Sequence, residues 1–219
     1  MKNCIKNNDV SAIIRLIDEG ENPDRIVKWA CYYGKKDIIQ AIIKQVSLNG
    51  LNQALPAVVK NNHTNLIPLL IRHGATNYNA VLTLAALFGY MDIVHLMISY
   101  GATSFNRAME LAASGGHLEI VKLMVEYGAT TYNSSILEAA RSGHIDILKY
   151  LTQHFSLNLK EVDLWNDILE QAATGHSVNH LEVVKYAITN GASNIEASIR
   201  MANLFDCFNN LNYLYSLDK

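Results

Sequence analysis

Three copies of Gly-Ala-Thr, at 74–76, 101–103 and 128–130, follow one another at 27-residue intervals, and this recurrence constrains the fold more than any other feature of the chain. A unit that short cannot enclose a core alone, so tandem copies bury their apolar faces against neighbours and leave one long surface for a partner. Extending the alignment outward gives the unit's grammar. Leu84-Ala85-Ala86, Gly89 and Asp92-Ile93-Val94 align with Leu111-Ala112-Ala113, Gly116-His117 and Glu119-Ile120-Val121, and again with Glu138-Ala139-Ala140, Gly143-His144 and Asp146-Ile147-Leu148. Weaker copies keep the phase upstream at Trp29-Ala30-Cys31 with Gly34, and at Ala57-Val58-Val59 with Asn62-His63. A halved first unit places Cys4-Ile5 and Asn8 in these slots, a seventh reads Ala172-Ala173 then Asn179-His180, and an eighth runs from Met201-Ala202 to Leu214.

Within a unit the apolar residues fall at steps of three and four, as in Leu118, Val121, Leu123, Met124 and Val125, which predicts a helix with one buried stripe. The preceding segment, Ala108 to Ser114, is rich in small residues and predicts a shorter inner helix. Gly-His, Gly-Tyr or Asn-His makes the turn between them, because glycine tolerates positive φ and asparagine is its commonest substitute. Acids at Asp92, Glu119, Asp146 and Glu182 are expected at the start of the second helix, facing its positive end.

The run from Leu111 to Ala129, Leu-Ala-Ala-x-x-Gly-His-Leu-Glu-Ile-Val-Lys-Leu-Met-Val-Glu-Tyr-Gly-Ala, resembles the helix-turn-helix core of the ankyrin repeat, and the resemblance spans nearly the whole chain. It implies an all-α, ankyrin-like repeat solenoid. Two departures stand out. The family's Thr-Pro-Leu-His opening is replaced by Ala80-Val81-Leu82-Thr83 and its equivalents, and the 27-residue unit is shorter than the family's ~33. The missing residues fall in the link between units, so the β-hairpin fingers are expected to be short or absent. Asn-rich units of this wording also resemble ankyrin arrays of giant DNA viruses that infect amoebae, which implies a host protein as partner.

Residues 1–219 are expected to form one array of about seven to eight units, with 1–24 as an N-terminal half-repeat cap, 157–193 as an irregular repeat and 194–219 as a C-terminal cap. Half the residues are apolar and 17% are charged, which disfavours disordered segments. No apolar run suits a signal peptide or membrane span, so the expected location is intracellular. The three cysteines, Cys4, Cys31 and Cys207, are too far apart for a zinc knuckle or redox pair and are expected as buried thiols. A net charge of −2 argues against nucleic acid. The charge is nonetheless uneven: residues 1–76 carry ten Lys and Arg against six Asp and Glu, giving +4, and the remainder carries eight against fourteen, giving −6.

Eight histidines do not cluster as metal ligands; His63, His117, His144 and His180 each occupy a turn slot, where the family's histidine bonds loop backbone between neighbouring repeats. No phosphate-binding, dinucleotide-binding or nucleophile-elbow motif occurs, and neither catalysis nor a cofactor is expected. In ankyrin repeats the two residues before the turn glycine lie on the concave face of the inner helix and vary with the ligand. On this chain they are Tyr32 and Tyr33, Lys60 and Asn61, Leu87 and Phe88, Ser114 and Gly115, and Arg141 and Ser142. Tyr32, Tyr33 and Phe88 stand out as interface anchors, the alternative for Leu87 and Phe88 being packing against a neighbouring unit. Trp165, in a segment that lengthens one link, is a further candidate anchor, with local gap-filling as its alternative. Thr174 to Val178 is read as an enlargement of the turn.

Tyr78, Phe105 and Tyr132 are expected in the inter-repeat loops as a stacking ladder, and Asn79, Asn106 and Asn133 as partners for loop or helix-start backbone. The aromatic C-terminal segment, Phe205 to Leu217, is expected to close the stack of a monomer, with a homodimer contact as the alternative. The function implied is a noncatalytic scaffold that binds an intracellular protein. The alternatives are a substrate adaptor for a ubiquitin ligase and, from another class, an enzyme with its site near 157–180.

Overall fold

Each unit becomes a helix pair because its apolar residues define two stripes separated by a left-handed turn. The computed structural model describes residues 1–155 and 162–217, and among these residues there are helices and no strand. The pairs, inner helix first, are α1 (Lys2–Lys6) and α2 (Val10–Asp18), α3 (Pro23–Tyr32) and α4 (Lys36–Ile42), α5 (Leu48–Lys60) and α6 (Ile67–Arg72), α7 (Tyr78–Phe88) and α8 (Met91–Ser99). They continue as α9 (Phe105–Gly115) and α10 (Leu118–Glu126), α11 (Tyr132–Ser142) and α12 (Ile145–His154), α13 (Val162–Ala173) and α14 (Val178–Thr189), and α15 (Ile195–Leu204) and α16 (Phe208–Leu217). The fold is an all-α helical-repeat solenoid whose links carry no β-hairpin finger among the described residues.

The chain divides into two compact units, residues 1–85 with 91–103, and residues 86–90 with 104–219. In the first, α3 packs on α1 and α5 while α2 packs on α4. Its core is aliphatic: Ile5, Ile13, Ile26, Ile38, Ile39, Leu55 and Ile67 are all fully buried. In the second, α9, α11, α13 and α15 pack in succession, as do α10, α12, α14 and α16. Here Ala112, Ala113, Ala139, Ala140, Ala172 and Ala173 are fully buried. A methyl group at each of these positions lets neighbouring helix backbones approach closely, and anything larger would overpack the contact.

Every letter of Gly-Ala-Thr has a structural task. Gly101 and Gly128 leave the outer helix at φ +92° and +85°. The next N–H then reaches back five residues, from Ala102 to the Met97 carbonyl and from Ala129 to the Met124 carbonyl, each at 3.0 Å, which closes the helix end. Both alanines are buried to 2% exposure. The threonine N–H is received by an asparagine: Asn79 Oδ1 accepts from Thr103 at 2.7 Å and Asn106 Oδ1 from Thr130 at 2.6 Å. Asn52 does the same for Thr76 at 2.7 Å, Asn166 for Ser193 at 2.8 Å and Asp24 for Ser47 at 2.7 Å. The link between repeats is thus held by a side chain from the first turns of the preceding inner helix, at its second position for Asp24, Asn79 and Asn106 and at its fifth for Asn52 and Asn166.

Three expectations need correction. The inner helix is not the shorter one, since α9 has eleven residues and α10 nine. Tyr78, Phe105 and Tyr132 are the first residues of α7, α9 and α11. Without the family's Pro-containing opening, nothing stops the helix from starting there. Their rings form separate pairs within each repeat: Tyr78 stacks on Tyr100 at 5.5 Å, Phe105 on Tyr127 at 5.2 Å, and Tyr132 on Phe155. Finally, Val178, Asn179 and His180 extend α14 by a turn at its start, so the insertion lengthens a helix and the turn itself is Thr174 to Ser177. Glu182 is consequently past the first turn and pairs with Lys185 at 3.0 Å, whereas Asp92, Glu119 and Asp146 do lie in first turns. The lengthened link expected from Leu157 lies largely outside the described residues.

The last repeat uses a residue that the periodicity did not mark. Asn210 of α16 is fully buried, and its Nδ2 donates to the Ala172, Ala173 and Gly175 carbonyls at 3.2, 3.1 and 2.8 Å. It supplies the donors that the end of α13 lacks. Asn210→Ala is expected to lower stability by about 2 kcal/mol, measured by urea denaturation, because the Ala173 and Gly175 carbonyls lose this donor, while Ala172 keeps the Gly175 N–H at 3.1 Å.

Candidate functional site

The turn slot sets which parts of each inner helix are used for stacking and which remain free. Gly89, Gly116 and Gly143 take φ +76°, +80° and +75°, and the histidine of the following repeat covers each. His117 Nε2 donates to the Leu87 carbonyl at 3.0 Å, His144 Nε2 to Ser114 at 3.2 Å and His180 Nε2 to Arg141 at 3.1 Å. A Cβ on Gly89 would lie 2.5 Å from the His117 ring, and one on Gly116 would lie 2.6 Å from the His144 ring. The ring therefore occupies the space a side chain would need. Accordingly, His63, His117 and His144 each follow a repeat whose turn is glycine, whereas Lys35 and Tyr90 follow the repeats with Asn8 and Asn62.

The histidine takes only the backbone carbonyl of the residue two before the glycine. That residue's side chain is left free to vary, as it does from Leu87 to Ser114 to Arg141.

Burial pushes the His144 imidazole below its ordinary 6.5, and the neighbouring His117 and His180 add to the shift while the Ser114 carbonyl opposes it. The unfolded chain therefore takes up this proton first as pH falls. The stability contributed by the neutral His144 is complete above about pH 6.5 and is lost as pH drops below it toward the lower folded value. Urea midpoints are expected to fall between about pH 7.5 and pH 5.5, and His144→Gln should flatten part of that dependence.

In the first unit, α3 buries Ile26, Val27, Ala30 and Cys31. The opposite stripe, at three- and four-residue steps, is Arg25, Lys28, Trp29 and Tyr32. Trp29, which sequence reasoning passed over, joins Tyr32 and Tyr33 in one aromatic group: its ring lies 5.5 Å from Tyr32 edge-on and 6.0 Å from Tyr33 in a stack. The i, i+3, i+4 spacing of the three was the available signal. Tyr32 is 45% exposed and Tyr33 is half-buried. Lys2 Nζ sits 4.0 Å over the Trp29 ring and Lys6 Nζ 5.5 Å over Tyr33. Lys60 is exposed at the end of α5, whereas Asn61 Nδ2 is committed to the Ala57 carbonyl at 2.8 Å.

In the second unit, Phe88 is 40% exposed and its ring lies 5.9 Å from Tyr90, while Leu87 is half-buried. Ser114 and Ser142 are half-buried with their hydroxyls 3.5 Å apart. Arg141 is exposed but ion-paired with Glu138 on its own helix. Trp165 contradicts its candidacy as an anchor: it is 3% exposed, edge-on to Tyr186 at 5.7 Å. Trp165-Asn166 is the aromatic-Asn pair of its repeat, equivalent to Tyr78-Asn79 and Phe105-Asn106, but it lies one turn inside α13 where those pairs begin their helices. At the C-terminus Leu204, Phe205, Phe208 and Tyr215 are 74%, 47%, 69% and 49% exposed.

Nothing convergent appears near residues 162–180. Among the described residues no group of three metal-ligating side chains forms. A cleft of about 230 Å³ gathers His144, Asp146 and Asn179, but the His144 Nε2–H is already used on Ser114. Cys31 is fully buried, its thiol pushed up to about 12 by desolvation, and Cys207 is buried and raised likewise; Cys4 is half-buried. Thiols so protonated are poor nucleophiles. No described helix is long and apolar enough to cross a membrane.

The family described as ankyrin repeats, in three-copy form, matches residues 27–108, 55–135, 82–163 and 109–198, so overlapping matches run continuously from 27 to 198. No curated protein matches the chain.

Proposed function

Because the chain belongs to the ankyrin-repeat family, whose repeats generally mediate protein–protein interaction, we propose that it is a noncatalytic scaffold holding an intracellular protein on its inner-helix faces. The observation that carries this reading is the split between backbone and side chain at the residue before the turn. Stacking uses the carbonyls of Leu87, Ser114 and Arg141, and the side chains at this and the next position differ among the second to sixth repeats. Of these, Tyr32 and Phe88 present aromatic rings at 45% and 40% exposure. Rings held on helices lose little conformational freedom when a partner covers them. The likeness to arrays of amoeba-infecting viruses makes a host protein the natural candidate.

The test is affinity capture from cell lysate with wild type, Tyr32→Ala and Phe88→Ala, after circular dichroism has shown all three to be folded. A protein held by wild type and reduced about 30-fold by either variant, the equivalent of about 2 kcal/mol, fits the loss of an anchor. Equal capture by all three would move the partner off the inner helices.

A further inference from the structure

We propose that the inner-helix face of the first unit, formed by α1, α3 and α5, binds an acidic segment of a protein partner, with Lys2, Lys6, Lys28 and Lys60 receiving its carboxylates around the Trp29–Tyr32–Tyr33 platform. The proposal rests on the reading of the chain as a protein-binding array and adds the chemistry of what is bound.

Charge on the inner helices is arranged differently in the two units. In the first, α1, α3 and α5 carry five cations, Lys2, Lys6, Arg25, Lys28 and Lys60, against Asp24 alone, and of these Arg25 is paired with Glu21, just before α3, at 3.3 Å. That carboxylate is not available to them: one Asp24 oxygen accepts the Ser47 N–H at 2.7 Å and the other its hydroxyl. Lys28 stands four residues after Asp24, the spacing at which an ion pair would form, and among the described residues neither it nor Lys2, Lys6 or Lys60 makes one. In the second unit, α9, α11, α13 and α15 carry three cations against six acids, and each cation is paired on its own helix, Arg107 with Glu110, Arg141 with Glu138 and Arg200 with Glu196. Unpaired lysines are therefore a property of the first unit's inner face.

Their placement works against the free protein. Lys2 and Lys6 are like charges four apart on a five-residue helix, which weakens it, yet both are held over aromatic rings at 4.0 and 5.5 Å. A ring fixes the lysine stem while leaving the ammonium's outer side open to an anion, so less side-chain entropy is lost when a carboxylate arrives. Between these cations, Tyr32 offers an exposed ring for an apolar or aromatic neighbour of the acid. A protein segment fits better than a polyanion, because phosphate chains depend on dense positive charge and the whole chain is at −2.

A random-peptide display selection against the full chain tests this, alongside labelled single-stranded DNA and phosphatidylserine vesicles as polyanion probes. The expected outcome is that selected peptides carry net negative charge, bind about tenfold or more weakly to Lys6→Glu/Lys28→Glu/Lys60→Glu, and weaken as salt screens the attraction. The milder Lys28→Gln/Lys60→Gln should fall between this variant and wild type. Peptides selected without charge bias but lost on Tyr32→Ala would overturn the acidic preference and leave the inner face as a binding surface. No selected peptide, or peptides indifferent to every one of these substitutions, would overturn both. Tighter binding of the DNA or the vesicles would transfer the face to a polyanion.

Discussion

Gly116→Val lowers stability by about 3 kcal/mol or more, read as a shift in the urea midpoint with circular dichroism. Two costs add. At φ +80° an L-residue pays roughly 1–2 kcal/mol for the left-handed region, and a β-branched one sits there worse still. The new Cβ would also fall 2.6 Å from the His144 ring, forcing the ring off the Ser114 carbonyl it meets at 3.2 Å and leaving that carbonyl without its donor. Gly128→Val separates the two costs, because a Cβ there meets nothing within 4 Å at φ +85°. It should lose only the backbone part.

Trp165→Ala lowers stability by about 3–5 kcal/mol, the range for truncating a buried tryptophan. The ring is 3% exposed and meets Tyr186 edge-on, and its neighbour Asn166 holds the Ser193 and Asn194 N–H groups at 2.8 and 3.0 Å. Losing the ring opens a cavity beside that link. A small stability change with a large loss of captured protein would restore Trp165 as a contact residue.

The regular part of this molecule is legible because each recurring residue does one job in every repeat. Gly-Ala-Thr, the alanine pairs, the turn glycine with its following histidine, and Asn79 and Asn106 could all be placed by register. What failed was reading each slot without its neighbours. Asn77, Ser104 and Thr131 are the residue types favoured just before a helix and mark where α7, α9 and α11 begin, yet the aromatic residues after them read as loop. Trp165 is followed by Asn166 as Phe105 is by Asn106, and comparing these pairs would have put it inside the fold. Asn210 had no repeated counterpart to reveal it, since its three acceptors belong to the end of a helix whose turn is irregular.

On the candidate surface, register located the variable positions but not their surroundings. Trp29 lies outside the two slots before the glycine and joins them only through helical spacing. Arg141 reads as a free cation until Glu138, three residues earlier, takes it up.

The most direct test of the inner-helix assignment is site-specific photocrosslinking in cell lysate, with p-benzoylphenylalanine placed at Tyr32, Phe88, Tyr100 or Tyr127 in turn. All four rings are exposed, at 45%, 40%, 41% and 45%, but only the first two belong to inner-helix ends; the others stack at the ends of outer helices. Adducts of one defined mass from Tyr32 or Phe88, and none from Tyr100 or Tyr127, are the predicted result. The same adduct arising from the outer-helix positions alone would contradict it.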